Sequence, residues 1–142
     1  MKKQVLLFIY FICCVSIAQE WETNYDKALE IAQINNKKIV LVFQGSDWCA
    51  PCIKLERNVW SSPEFMSYAK SHFVMLKADF PKRKKNKLSK EQQSHNNKLA
   101  ERFNKNGYFP FVLVLDNNGT VLGTTAYKKI PVSEYIEQLE NF

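Results

Sequence analysis

Trp48-Cys49-Ala50-Pro51-Cys52 follows the run Lys38-Ile39-Val40-Leu41-Val42-Phe43-Gln44 across the turn Gly45-Ser46-Asp47. The run is continuous, apolar and rich in β-branched residues, which predicts a strand covered on both faces. Pro51 suits the first turn of a helix, where its missing N–H costs nothing. A helix is therefore expected from near Cys49 through Ile53, Leu55, Glu56 and Val59. Two cysteines three apart at a helix start lie close enough to bridge. The unpaired N–H groups and partial positive charge of a helix N-terminus favour thiolate over thiol at Cys49, making it the attacking sulfur. Cys52 lies one turn deeper and is expected to be the more shielded. The implied chemistry is thiol–disulfide exchange: Cys49 attacks a substrate disulfide, and Cys52 then attacks Cys49 and releases the reduced substrate.

Outward from this stretch, helices and strands alternate. Residues 21–36 predict a helix, with Tyr25, Ala28, Leu29, Ala32 and Ile31 on one stripe. Ser62-Pro63-Glu64 starts another: Ser62 as N-cap, Pro63 at the first position, an acid in the first turn. FVMLKAD over residues 73–79 is a second strand, and residues 81–90 form a basic loop. Ser89 and Gln92 fit a capping box for a helix reaching Phe103. FVLVLD over residues 111–116 is a third strand. Asn117-Asn118-Gly119 turns it into a partner over residues 120–124, an antiparallel hairpin. A last helix, residues 132–141, turns Val132, Ile136 and Leu139 inward. Helices between the first three strands predict parallel crossovers. The expected architecture is α/β: a mixed central sheet with parallel crossovers, an antiparallel edge hairpin, and helices on both faces.

The chain has 142 residues, 46% hydrophobic and 24% charged, with 4 Gly and 5 Pro. That fits one globular domain and argues against a disordered, collagen-like or multi-span membrane chain. Lys2 and Lys3 precede an apolar run over residues 5–18. It suits the core of a signal peptide and falls short of the about 20 residues a spanning helix needs. Ser16 and Ala18 are small residues suited to a cut after Ala18. Residues 1–18 are thus expected to be a cleaved signal peptide and residues 19–142 the domain; uncleaved, the segment would be a membrane anchor. Cys13 and Cys14 would leave with it. Neither follows a small residue, so lipid attachment is not expected. Export implies an oxidising compartment, with a bacterial periplasm the expected location. The formal charge is +6, and losing Lys2 and Lys3 lowers it by two.

The Trp48-to-Cys52 segment resembles the active site of the thioredoxin superfamily, and the element order from about Lys38 onward matches that fold. The resemblance implies that Cys49 is the nucleophile and Cys52 the resolving thiol. Pro110, in Tyr108-Phe109-Pro110-Phe111, holds the position of the family's cis-proline. It implies a part in keeping metal off the thiols and in presenting the Phe109 backbone to an extended substrate. The longer pattern Asp47-Trp48-Cys49-x-x-Cys52-x-x-x-Glu56, followed by Ser62-Pro63, is similar to the C-terminal domain of DsbD-type reductases and to small secreted thioredoxin-like proteins. Those act as thiol–disulfide reductants or relays. One departure stands out. Many thioredoxins carry a buried Asp six residues before the first Cys, where this chain has Phe43. Glu56, on the same helix face as Cys49 and Cys52, is a candidate substitute proton acceptor; the alternative is a solvated Glu paired with neighbouring cations.

The function expected is therefore an exported thiol–disulfide oxidoreductase, with reduction or isomerisation favoured over net oxidation. Catalysis falls to Cys49, Cys52 and Glu56, and substrate binding to Trp48, Phe109 and Pro110. Electrons arrive from an upstream redox partner protein, so no metal or organic cofactor is required, and a monomer is expected. A zinc site would need His72 and His95, whose spacing matches no common finger. The cluster Lys82-Arg83-Lys84-Lys85-Asn86-Lys87 carries five charges in six residues. It has no interleaved aromatic, so no nucleic acid is expected there; it reads as a solvated loop or a partner-docking element. Two rivals share these residues: a non-catalytic peptide-binding module with a structural disulfide, and a dedicated dithiol oxidant.

Overall fold

A computed structural model describes residues 20–142. The expected signal peptide, with Cys13 and Cys14, lies outside the described residues. Five strands, β1 (Trp21–Glu22), β2 (Lys38–Gln44), β3 (Phe73–Asp79), β4 (Phe111–Leu115) and β5 (Val121–Thr125), form one sheet in the order β1-β3-β2-β4-β5. The strand β3 runs parallel to both β1 and β2, whereas β4 is antiparallel to β2 and to β5. Five α-helices accompany it among the described residues: α1 (Tyr25–Asn35), α2 (Ala50–Leu55), α3 (Pro63–His72), α4 (Lys90–Phe103) and α5 (Val132–Glu140). None of the helices there is long and apolar enough to cross a membrane.

The central strand β2 explains its own composition. Val40 and Val42 point to one face, into a core with Leu55, Val59, Trp60, Phe65 and Leu139. Ile39, Leu41 and Phe43 point to the other, against Tyr25, Ala28, Ala32 and Leu99. All five side chains of that run are fully buried. Both faces of β2 are thus covered, and no polar residue interrupts it.

Three expectations change. The third strand is antiparallel to β2, with Val42 opposite Val112 and Leu41 opposite Leu113. The cause is where the α4 excursion begins and ends. Phe80, leaving β3, and Phe109, entering β4, meet with ring centroids 5.6 Å apart. A chain that leaves and re-enters a sheet at the same end must reverse direction. Residues 21–36 are not one helix either: Trp21 and Glu22 pair with β3, and Asn24 is the N-cap, its side-chain oxygen accepting the Lys27 N–H at 2.9 Å. Finally, Ser89 accepts the Gln92 N–H at 3.1 Å, but the Gln92 side chain bonds the Thr23 carbonyl and Asn96 instead of closing a reciprocal box.

The helix opened by Cys49 does not run on regularly. It widens into a π-turn over Glu56–Trp60, which buries both Val59 and Trp60. In α5, Ile136 and Leu139 face inward as expected; Tyr135 joins them, its hydroxyl donating to the Ala126 carbonyl at 3.0 Å. Burial pushes that phenol well above its ordinary range.

Candidate active site

The Gly45-Ser46-Asp47 turn carries the chain from β2 to α2 at the sheet end where β3 also stops. Asp79, the last residue of β3, accepts the Ser46 N–H at 2.9 Å and the Ser46 hydroxyl at 2.6 Å, fixing the turn. Cys49 is the N-cap of α2 and is disulfide-bonded to Cys52, with Cα atoms 5.2 Å apart. The Cys52 N–H donates to the Cys49 sulfur at 3.3 Å, an interaction that favours the thiolate form once the bridge opens. The expected difference in shielding is absent: the two residues are 4% and 3% exposed. The Cys49 sulfur turns back over the first turn of α2 instead of standing out from it.

Trp48, the residue before Cys49, is 38% exposed. Its ring lies on Gly45, where an added Cβ would overlap the indole. Its Nε1–H donates to the Phe80 carbonyl at 2.7 Å. Phe109 meets it edge-on at 5.4 Å between centroids, and the Phe109–Pro110 peptide bond is cis. Beside Pro110 opens a groove of about 570 Å³, lined by Pro51, Tyr108, Phe109, Thr125 and Tyr127 among others. Pro51, between the two cysteines, lines this groove with Phe109 and Pro110, and Trp48 adjoins it through its contact with Phe109.

Glu56 lies at the start of the π-turn, where its carboxylate accepts the Ser61 hydroxyl at 2.9 Å. Phe43 fills the family's usual acid position as a fully buried ring, stacked against Phe111 at 6.4 Å. The histidines are engaged elsewhere. His95 Nε2 accepts the Tyr25 N–H at 3.1 Å, and His72 Nδ1 lies 2.9 Å from the Tyr68 carbonyl oxygen.

Asp47 is the residue whose role sequence reasoning missed. Its carboxylate accepts the N–H groups of Lys82 and Arg83 at 2.9 and 3.0 Å and the Asn86 side-chain amide at 2.8 Å. The Lys82 N–H, chief among these donors, holds the carboxyl below its ordinary range. The basic loop is thereby tied to the active-site turn, and the Lys82 ammonium sits 3.8 Å from the Trp48 ring centroid. The available signal was an acid next to Trp48 and Cys49 in a chain with a dense run of amide donors and cations elsewhere. Tyr127 and Thr125 reach the groove through the hairpin, and nothing local marks them.

Residues 20–117, more than half of the chain, match the family profile described as thioredoxin-like. The chain is 33% identical over 122 residues to the disulfide bond reductase DsbH of Chlamydia pneumoniae, an alignment covering 86% of this chain and 71% of that protein. A solved structure of a DsbH oxidoreductase superposes with a TM-score of 0.79 at 29% identity, covering 99% of this chain and 93% of the other. The oxidised DsbD C-terminal domain of Neisseria meningitidis shares the fold, with a TM-score of 0.53 at 21% identity over 82% of this chain and 90% of that one. By profile, by sequence and by fold, the chain belongs to the thioredoxin-like family, and it carries the bridged Cys49–Cys52 pair of that family's thiol–disulfide oxidoreductases.

Proposed function

We propose that this chain is an exported disulfide reductase acting on protein substrates. The observation that carries the reading is the Cys49–Cys52 bridge at the start of α2, whose intervening Pro51 lines the groove beside Phe109 and Pro110. The similarity to a disulfide bond reductase supports the reducing direction over net oxidation.

In the reducing cycle a partner dithiol first opens the bridge, itself becoming a disulfide, and leaves Cys49 and Cys52 with two electrons. The Cys49 thiolate attacks one sulfur of the substrate disulfide, and the other substrate sulfur departs as a thiolate. Cys52 loses its proton and attacks the Cys49 sulfur, expelling the second substrate thiolate and closing the bridge. Phe109 and Pro110 form the substrate-side wall, Trp48 partly covers the reacting sulfurs, and Glu56 is the proton acceptor for Cys52. Removal of residues 1–18 during export would leave Gln19 as the new N-terminus, which the mass of the protein recovered from the exported fraction checks.

The test is trapping in the native compartment. Cys49→Ser loses all turnover, whereas Cys52→Ser accumulates mixed disulfides that a non-reducing gel resolves and thiol reagents release. A Cys52→Ser chain that captures no partner protein, while its Cys49 thiol still reacts with a small disulfide, contradicts the reading and leaves a binding module.

A further inference from the structure

The basic loop is built into the active site. Lys82, Arg83, Lys84, Lys85, Lys87 and Lys90 are all exposed. Solvated cationic loops repel themselves and spread; this one is held. Asp47 takes two of its backbone N–H groups, the short helical turn Lys84–Asn86 folds it, and Lys82 is laid over Trp48. Arg83 has a carboxylate nearby, that of Asp47. Among the described residues, no ion pair joins any of the six cations to an acidic side chain. Of the flanking acids, Asp79 accepts from the Ser46 hydroxyl. An array of exposed cations on a held backbone thus begins at Trp48, one residue from Cys49, and of these only Arg83 lies near a carboxylate.

We propose that this rim is a docking surface for acidic polypeptide, and that the protein prefers disulfides flanked by Asp and Glu. The proposal rests on the exchange activity given above and names its substrate class. An extended substrate rises about 3.4 Å per residue, so acids a few residues from its cysteine lie opposite the cations beyond Trp48 while the cysteine meets Cys49. Like-signed substrates are repelled at the same place, so the loop both recruits and discriminates. Long-range attraction raises the encounter rate, an effect that salt removes.

The experiment uses the reduced full chain and three peptides that share one disulfide and differ only in flanking residues: Glu, Gln or Lys. The acidic peptide is expected to react about tenfold faster than its Gln twin at low salt, with the gap closing at high salt. Lys84→Gln/Lys85→Gln/Lys87→Gln removes three exposed cations and leaves Lys82 and Arg83, which contact Trp48 and Asp47. It brings the Glu-to-Gln rate ratio toward one. The corresponding Lys→Glu triple variant reverses the order, so that the Lys peptide reacts fastest. That reversal cannot come from a misfolded chain. Equal rates for all three peptides with the parent protein overturn the docking surface while the reductase reading stands. Reduction of none overturns both. Loop-dependent sedimentation with phosphatidylglycerol vesicles, without any peptide preference, assigns the surface to lipid and overturns the proposal.

Discussion

The Asp47 carboxylate accepts the backbone N–H of Lys82 at 2.9 Å, joining positions 35 residues apart in the chain. With the bonds from Arg83 and Asn86, it makes the basic loop part of the wall around Trp48. The Lys82 N–H is the main reason that the carboxyl ionises below its ordinary value. A lowered folded value means that the bond's stabilisation is complete above the ordinary carboxyl range, about 3.9, and is lost only as pH falls through the lower value. The Lys82 and Arg83 amide resonances should therefore hold steady down to the ordinary range and shift together below it. A midpoint at or above about 3.9 contradicts this account. Asp47→Ala should open the loop to trypsin at neutral pH with the helical signal intact.

Gly45 fixes Trp48 by having no side chain. A Cβ there would overlap the indole carbons and nitrogen and displace Nε1 from the Phe80 carbonyl. Gly45→Ala should cost about 1–3 kcal/mol of stability and shift the indole fluorescence. In a Trp48→Ala background the same substitution should cost much less, because the two residues are in contact and their effects do not add. Equal costs in both backgrounds would show that the indole does not rest on Gly45.

Glu56 has two readings that kinetics separates. As proton acceptor for Cys52, its loss in Glu56→Gln should slow release of reduced substrate by about 100-fold or more and flatten the pH dependence of that step. As a local brace for Ser61, bonded at 2.9 Å, its loss should lower stability and leave release unchanged. Ser61→Ala is the matching control, since it frees the carboxylate without removing it. An unchanged release rate in Glu56→Gln removes Glu56 from the mechanism.

Much of this was legible in the chain. The strands β2 and β3 fall where their apolar runs place them: β2 is buried on both faces, and in β3 only Lys77 and Asp79 interrupt the buried run. Ser62 and Ser89 cap as their local chemistry demands. The direction of β4 was not legible: it depends on Phe80 meeting Phe109, a contact across the whole α4 excursion. Trp21 and Glu22 read as helical until β3 offers them a partner. In the site, the cysteine pair and the Trp48 neighbourhood were readable from adjacent residues. Asp47 was not, because its donors lie on a loop whose path no local pattern fixes.

The central claim is that the Cys49–Cys52 bridge cycles as a reductant, and the equilibrium reduction potential of that pair tests it most directly. Incubation in graded thiol buffers, followed by alkylation and mass analysis, reads the fraction open at each poise. The account predicts a value near about −270 mV, in the range of thioredoxin. A value near about −120 mV would make the protein an oxidant, and a bridge still closed well below about −300 mV would make it structural; either contradicts the account.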